Sequence, residues 1–223
     1  KATVTVVYKS TSIDVVVVNS PPSFVKGADQ TILEDAGLKT VPGWATAISK
    51  GSPAESAQIV GFRVSNDNDA LFSSQPAVSA NGTLTYAPAP DAIGTATVLV
   101  RLGDDGGTAD GGSDSGSVDT FRIVVAPVNH PPSFTKGADQ TALEDAGLQT
   151  TNSWATAISK GPSNESGQSV GFRVSNDNNA LFSAQPSVSA NGTLTYVPAA
   201  NANGSATISV RLGDDGGTAN GGS

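Results

Sequence analysis

The chain of 223 residues contains no cysteine, so neither a disulfide framework nor a thiolate metal site is open to it. Its stability has to come from packing, repetition or bound ions. Basic residues are few: 12 Lys and Arg stand against 20 Asp and Glu, giving a net charge of −8 and a pI near 4.4. That balance argues against nucleic acid as a partner, because binding it needs a basic face. It suits solubility, repulsion between neighbouring chains, or divalent cations. No apolar run approaches the ~18 residues of a membrane span, and the four valines at 15–18 follow Asp14 and read as a strand. Aromatics make up 5% and hydrophobics 37%, enough for a thin two-layer core. The one histidine, His130, lies in a linker before two prolines, and nothing marks a nucleophile beside it. With no phosphate loop, zinc-ligand spacing or catalytic carboxylate pair, the sequence offers no enzyme active site.

What the chain does have is repetition. "PPSFVKGADQTILEDAG" at 21–37 returns as "PPSFTKGADQTALEDAG" at 131–147, an offset of 110 residues. Residues 21–113 align with 131–223 without a gap, and 71 of the 93 positions are identical. A period near 110 is too long for a solenoid unit and right for a whole β-sandwich. The differences cluster at 39–43, 52–54, 57–59 and 87–95, which reads as loops.

Alternation supplies the strands. Val60, Phe62 and Val64 share a face, as do Ala96, Val98, Val100 and Leu102, with Ala206, Ile208, Val210 and Leu212 their counterparts. Phe121, Ile123 and Val125 mark a last strand, and Trp44, Thr46 and Ile48 an early one. Asn81-Gly82 predicts a two-residue hairpin turn with both residues at positive φ, after which Leu84 and Tyr86 point inward. "ALFSSQP" at 70–76 makes at most one helical turn, and the proline pairs at 21–22 and 131–132 stiffen the start of each module.

The motifs "LEDAG", "FRVSNDNDALFSSQPAVSANGTLTY", "GTATVLVRLGDDGG" and "DTFRIVVAPVNHPPSF" resemble the cadherin-like, immunoglobulin-like tandem repeats of large bacterial surface proteins and adhesins. The resemblance covers 21–223. It implies all-β, tandem Greek-key sandwich modules in an extended rod, placed outside a cell or on its surface as spacers. The expected domains are a terminal β-hairpin of a preceding module, or a donor strand, at 1–20; one sandwich at 21–130; and a second at 131–223 that lacks its last strand. Two readings of the ends stay open. The chain is a window on a longer array, or residues 1–18 complete a sandwich in a neighbouring chain and build a fibre. Expected partners are neighbouring copies of the same module or chain, with a cell-surface ligand elsewhere in the full protein. The competing class is a glycan- or protein-binding accessory module. It would need an exposed aromatic platform, whereas Trp44 and Trp154 sit in strand patterns that point to the core.

Ca2+ is the cofactor the acidic residues suggest, since it takes six to eight oxygens. The expected ligands are Glu34, Asp35, Asp104 and Asp105, with Glu144, Asp145, Asp214 and Asp215 in the second copy. Asp67, Asp69 and Asp177 are weaker candidates. The resemblance implies calcium held by an acidic residue near the module start, for which Glu34 and Glu144 stand. It also implies an acidic motif before the penultimate strand, where only Asp91 is found and its counterpart is Asn201, and Asp or Asn in the linker, where Ser20 and His130 replace the usual Asp. The competing reading makes these residues turn formers in solvated loops.

Overall fold

The computed structural model describes residues 16–222. Among them are sixteen β-strands, six single 3-10 turns and no α-helix. Two compact units emerge. The first runs to Gln30 and adds Gly37–Ala87 and Ala96–Ile123, and the second is Thr31–Ala36, Pro88–Thr95 and Val124 onward. The hairpin or donor strand expected over 1–20 falls mainly on residues 1–15, outside the described residues, and residues 16–22 form no strand.

The first repeat contains β1 (Ser23–Val25), β2 (Gln30–Leu33), β3 (Lys39–Val41), β4 (Thr46–Ser49), β5 (Val60–Asn66), β6 (Phe72–Val78), β7 (Leu84–Pro88), β8 (Gly94–Asp104) and β9 (Ser115–Ala126). They assemble into sheets ordered β2-β9-β8-β5 and β3-β7-β6, with β1 and β4 as a separate pair. Non-consecutive neighbours such as β5 and β8 require the crossovers of a Greek key. The second repeat contains β10 (Ser133–Thr135), β11 (Gln149–Thr151), β12 (Thr156–Ser159), β13 (Val170–Asn176), β14 (Phe182–Val188), β15 (Leu194–Pro198) and β16 (Ile208–Asp214), with β11-β15-β14, β13-β16 and β10-β12 as its sheets.

Alternation along β8 does what its sequence predicts. Ala96, Val98, Val100 and Leu102 are all 0% exposed, and Phe121, Ile123 and Val125 on β9 are no more than 2% exposed. Leu84 and Tyr86 on β7 close the core from the other sheet. Each such aliphatic side chain, moved wholly out of water, contributes roughly 1.5–3 kcal/mol. Trp44 lies two residues before β4 rather than within it, yet it is buried and packs on Phe121 with ring centroids 4.4 Å apart and planes tilted by 47°. Its indole N–H donates to the Ala28 carbonyl at 3.0 Å, and Trp154 donates to Ala138 at 2.9 Å. Both indoles are core groups, which removes them as glycan platforms. In the second repeat Val210 and Tyr196, identical to Val100 and Tyr86, are only half-buried, because among the described residues β16 has β13 as its sole sheet neighbour.

Two local expectations are corrected. The Asn81-Gly82 hairpin is not a two-residue turn, because only Gly82 has a positive φ, of 84°. The Gly82 N–H donates to Ser79 O at 2.8 Å and the Ser79 N–H to Thr83 O at 3.0 Å, so a three-residue loop ends on a glycine bulge. The Ala45 N–H also donates to Gly82 O, so the chain following Trp44 presses on the turn and leaves no space for a side chain. The variable stretch 39–43 is also not all loop: residues 39–41 form β3, an edge strand on β7 whose largely exposed side chains are free to vary.

Substituting Gly82→Ala should cost more than the ~1–2 kcal/mol of a left-handed backbone, since the added carbon would lie 2.1 Å from the Ala45 carbonyl oxygen. Gly37→Ala, at φ 67° in open space, should cost only the backbone part. Urea unfolding of both variants measures the difference.

Candidate cation site

The segment entering the first repeat is anchored by one asparagine. Asn19 Nδ2 lies 2.9 Å from Asp104 Oδ1, 3.1 Å from Gly107 O and 2.8 Å from Ser113 O. An amide nitrogen has two hydrogens, and here it faces three acceptors. On the other side Asn19 Oδ1 accepts from Gln58 Nε2 at 2.7 Å. Asp104 Oδ1 is further held by the Gly106 N–H at 2.9 Å. The second oxygen of Asp104 and the Gln58 Oε1 are buried with no hydrogen-bond partner.

Glu55, on the single 3-10 turn Pro53–Glu55, stands beside this group and is buried. It takes the Ser20 N–H on Oε1 at 2.6 Å and the Ser52 N–H on Oε2. These backbone donors, Ser20 first and then Ser52, outweigh burial and hold its carboxyl below the usual range. Gly51, at φ 116°, is required here because a side chain would run into Glu55 Oε2.

The second repeat rebuilds the arrangement. Asn129 Nδ2 donates to Asp214 Oδ1 at 3.0 Å, and Gln168 Nε2 donates to Asn129 Oδ1 at 2.7 Å. Asp214 Oδ2 and Gln168 Oε1 are again buried without a partner. Glu165, 6% exposed, replaces Glu55, but Pro162 stands where Ser52 has its N–H. Its Oε2 consequently has no partner, while Oε1 takes the His130 N–H at 2.7 Å.

The eight expected ligands separate into different roles. Asp104 and Asp214 lie in the asparagine-centred pockets. Asp105 and Asp215 accept the N–H of Ile59 and Ser169, each at 2.8 Å, and tie down the strand that follows. Glu34, 3% exposed, accepts from the Val128 N–H and from Asn164 Nδ2, both at 2.7 Å. Asp35 accepts the Asp91 N–H at 3.1 Å and faces His130 Nε2 at 3.3 Å. Glu144 is exposed, and Asp145 accepts the Asn201 N–H at 3.0 Å. Asp67 and Asp177 are turn formers, whose lowered pKa values come first from the backbone N–H of Thr97 and Thr207. Burial alone would depress the His130 pKa, but the Glu165 hydrogen bond and the charges of Glu165, Glu34 and Asp35 raise it.

Asn19, Glu55 and Gln58 were invisible to a search for acidic clusters, since two of them are uncharged and the third lies alone. The available signal was recurrence, for E-x-x-Q survives at 55–58 and 165–168 inside a stretch that otherwise diverges. The two oxygens left over, Asp104 Oδ2 and Gln58 Oε1, are both acceptors, of the kind a hard cation takes.

No family model matches the chain, and no curated protein sequence matches it. Among solved structures it is similar to the crystal structure of Drosophila N-cadherin EC1-4, at a TM-score of 0.34 and 11% identity, over 88% of this chain and 50% of that one. The chain therefore spans about half the length of that structure. A likeness of this size carries no conclusion about activity, ligand or partner.

Because the folded pKa of Glu55 lies below its unfolded value, its contribution is present above the ordinary carboxylate range and lost as pH falls through the depressed value. Thermal unfolding followed from neutral pH into acid should show Glu55→Gln with a shallower acid decline than the wild type.

Proposed function

We propose that this chain is a non-enzymatic structural and adhesive repeat segment acting outside a cell, in which each repeat takes one Ca2+ in its asparagine-centred pocket. The observation that carries the reading is the recurrence, in both repeats, of a buried unpartnered carboxylate oxygen and amide oxygen: Asp104 with Gln58, and Asp214 with Gln168. Leaving such groups unmet costs about 1–3 kcal/mol each, and keeping the same cost twice argues for a ligand. Asp104 through Oδ2 and Gln58 through Oε1 would hold the ion, while Asn19, which donates to Asp104, Gly107 O and Ser113 O, fixes the loop around them. Asp214 and Gln168 would do the same in the second repeat, with Asn129 in the place of Asn19.

Calcium supplies a multivalent cross-link there. Asp104 and the 103–114 loop are already tied to Asn19, so an ion shared by these groups fixes the entering segment to its own repeat. That is the mechanical requirement of a spacer: the chain between folded parts must not yield first. The net charge of −8 fits the same reading, since an acidic surface keeps neighbouring chains apart until cations bind.

The half-buried Val210 and Tyr196 favour one addition, that a strand of the kind β9 provides covers β16. If a neighbouring copy supplies it from its residues 1–20, the chain builds a fibre. Light scattering after size exclusion should then show concentration-dependent polymers that deletion of residues 1–20 abolishes. A monomer at every concentration excludes strand exchange.

For calcium, the expected outcome is a rise in melting temperature with added Ca2+ that a chelator reverses. It corresponds to about 2.7 kcal/mol per site at a hundredfold excess over Kd. Asp104→Asn combined with Asp214→Asn should remove most of that rise. A melting temperature indifferent to Ca2+ overturns the calcium reading.

A further inference from the structure

We propose that Asp35, Asp91 and His130 form a site for one borderline divalent metal ion of the Zn2+ type. All three belong to the second unit, where Asp35 follows β2, Asp91 follows β7 and His130 follows β9. One ligand atom from each lies within 4.8 Å of the others. Among the described residues this is the one place where three such groups converge.

The spacing between two of the three groups leaves room for a shared ion. His130 Nε2 and Asp35 Oδ2 are 3.3 Å apart. A charge-assisted hydrogen bond draws its partners to about 2.7–2.9 Å. Two ligand atoms about 2.0–2.2 Å from one tetrahedral Zn2+ stand roughly 3.3–3.5 Å apart. A spacing of 3.3 Å accommodates two ligands of one such ion.

The ring is also held in the orientation a ligand needs. His130 Nδ1 lies 3.3 Å from Glu165 Oε1, the oxygen that also takes the His130 backbone N–H. Glu165 is 6% exposed, and its Oε2 is unpartnered because Pro162 has no N–H to offer. A buried carboxylate on one ring nitrogen fixes the tautomer and turns the lone pair of the other outward, the carboxylate–histidine–metal arrangement. Asp35 is oriented likewise: the Asp91 N–H holds Oδ1, leaving Oδ2 toward the ring. With side chains 32% and 40% exposed, His130 and Asp35 leave an entry path.

The donor set selects against calcium. An imidazole nitrogen and two carboxylates fall short of the six to eight oxygens Ca2+ takes, whereas imidazole is a preferred donor to Zn2+. The other repeat is an internal control: Ser20 stands at the position of His130 and Asn201 at that of Asp91, so neither set is duplicated. The site therefore differs in chemistry and residues from the Asn19 and Asn129 pockets.

The test is titration of the tag-free full chain with Zn2+ at about pH 8, read by calorimetry and by the imidazole NMR signals of His130, the chain's one histidine. One equivalent should bind and shift those signals, and excess Ca2+ should leave the ion in place. His130→Ser and Asp91→Asn, each the residue the other repeat carries, should weaken binding roughly tenfold or more with the circular dichroism unchanged. Asp104→Asn and Asp214→Asn should leave Zn2+ binding untouched, so the calcium reading and this one fail separately. Absent binding, binding indifferent to His130→Ser, or Ca2+ displacing Zn2+ while shifting the same signals overturns the proposal.

Discussion

A carboxylate that is more than nine-tenths buried loses water and draws on nearby donors instead, and much of the local architecture at the start of each repeat follows from that demand. In the first repeat Glu55 is met by two backbone N–H groups, one from the entering segment at Ser20 and one from its own turn at Ser52. That double anchoring determines where the entering chain runs. It places Asn19 over Asp104 and Gln58, and it forces a glycine at position 51. The second repeat keeps the buried glutamate but exchanges Ser52 for Pro162, which frees one oxygen, and it exchanges Ser20 for His130, which brings an imidazole to the other. Two substitutions a structure would tolerate separately thus act on the same carboxylate.

The acidic residues do two kinds of work, and the difference lies in what each oxygen touches. Asp67, Asp105, Asp177 and Asp215 accept backbone N–H groups and tie down loops. Asp104 and Asp214 keep one buried oxygen without a partner. Glu34, which the sequence marks as a calcium ligand, has its two oxygens taken by Val128 and Asn164, and Asn164 has no counterpart in the first repeat, where Ala54 stands. Negative charge alone does not distinguish these roles, and the partners of each oxygen do.

The Asp35, Asp91 and His130 trio shows how near-identity between repeats can hide a difference in chemistry. In the second copy the Asn201 N–H still donates to Asp145, as the Asp91 N–H does to Asp35, so the backbone is the same. One carboxylate has become an amide, so a charged side chain has become a neutral one. Similar backbones with different donor sets let two repeats share a fold and differ in side-chain chemistry.

The sequence by itself determined the all-β class, the 110-residue period and which face of β5, β7 and β8 turns inward, because side-chain alternation is a local property of a strand and apolar burial follows it. It also marked both tryptophans as core. Only the tertiary structure decided the type of hairpin at Asn81-Gly82, since the contact between Gly82 and Ala45 comes from a segment 37 residues earlier in the chain. It alone assembled Asn19 with Gln58 and Asp104, and Asp35 with Asp91 and His130, across separations of 85 and 95 residues. Crossovers in a Greek key bring distant loops together at one end of the sheets, and no local pattern records which loops those are. The same physics explains why identical valines at 100 and 210 differ in burial: the neighbouring strand, and not the residue, decides how much water is excluded.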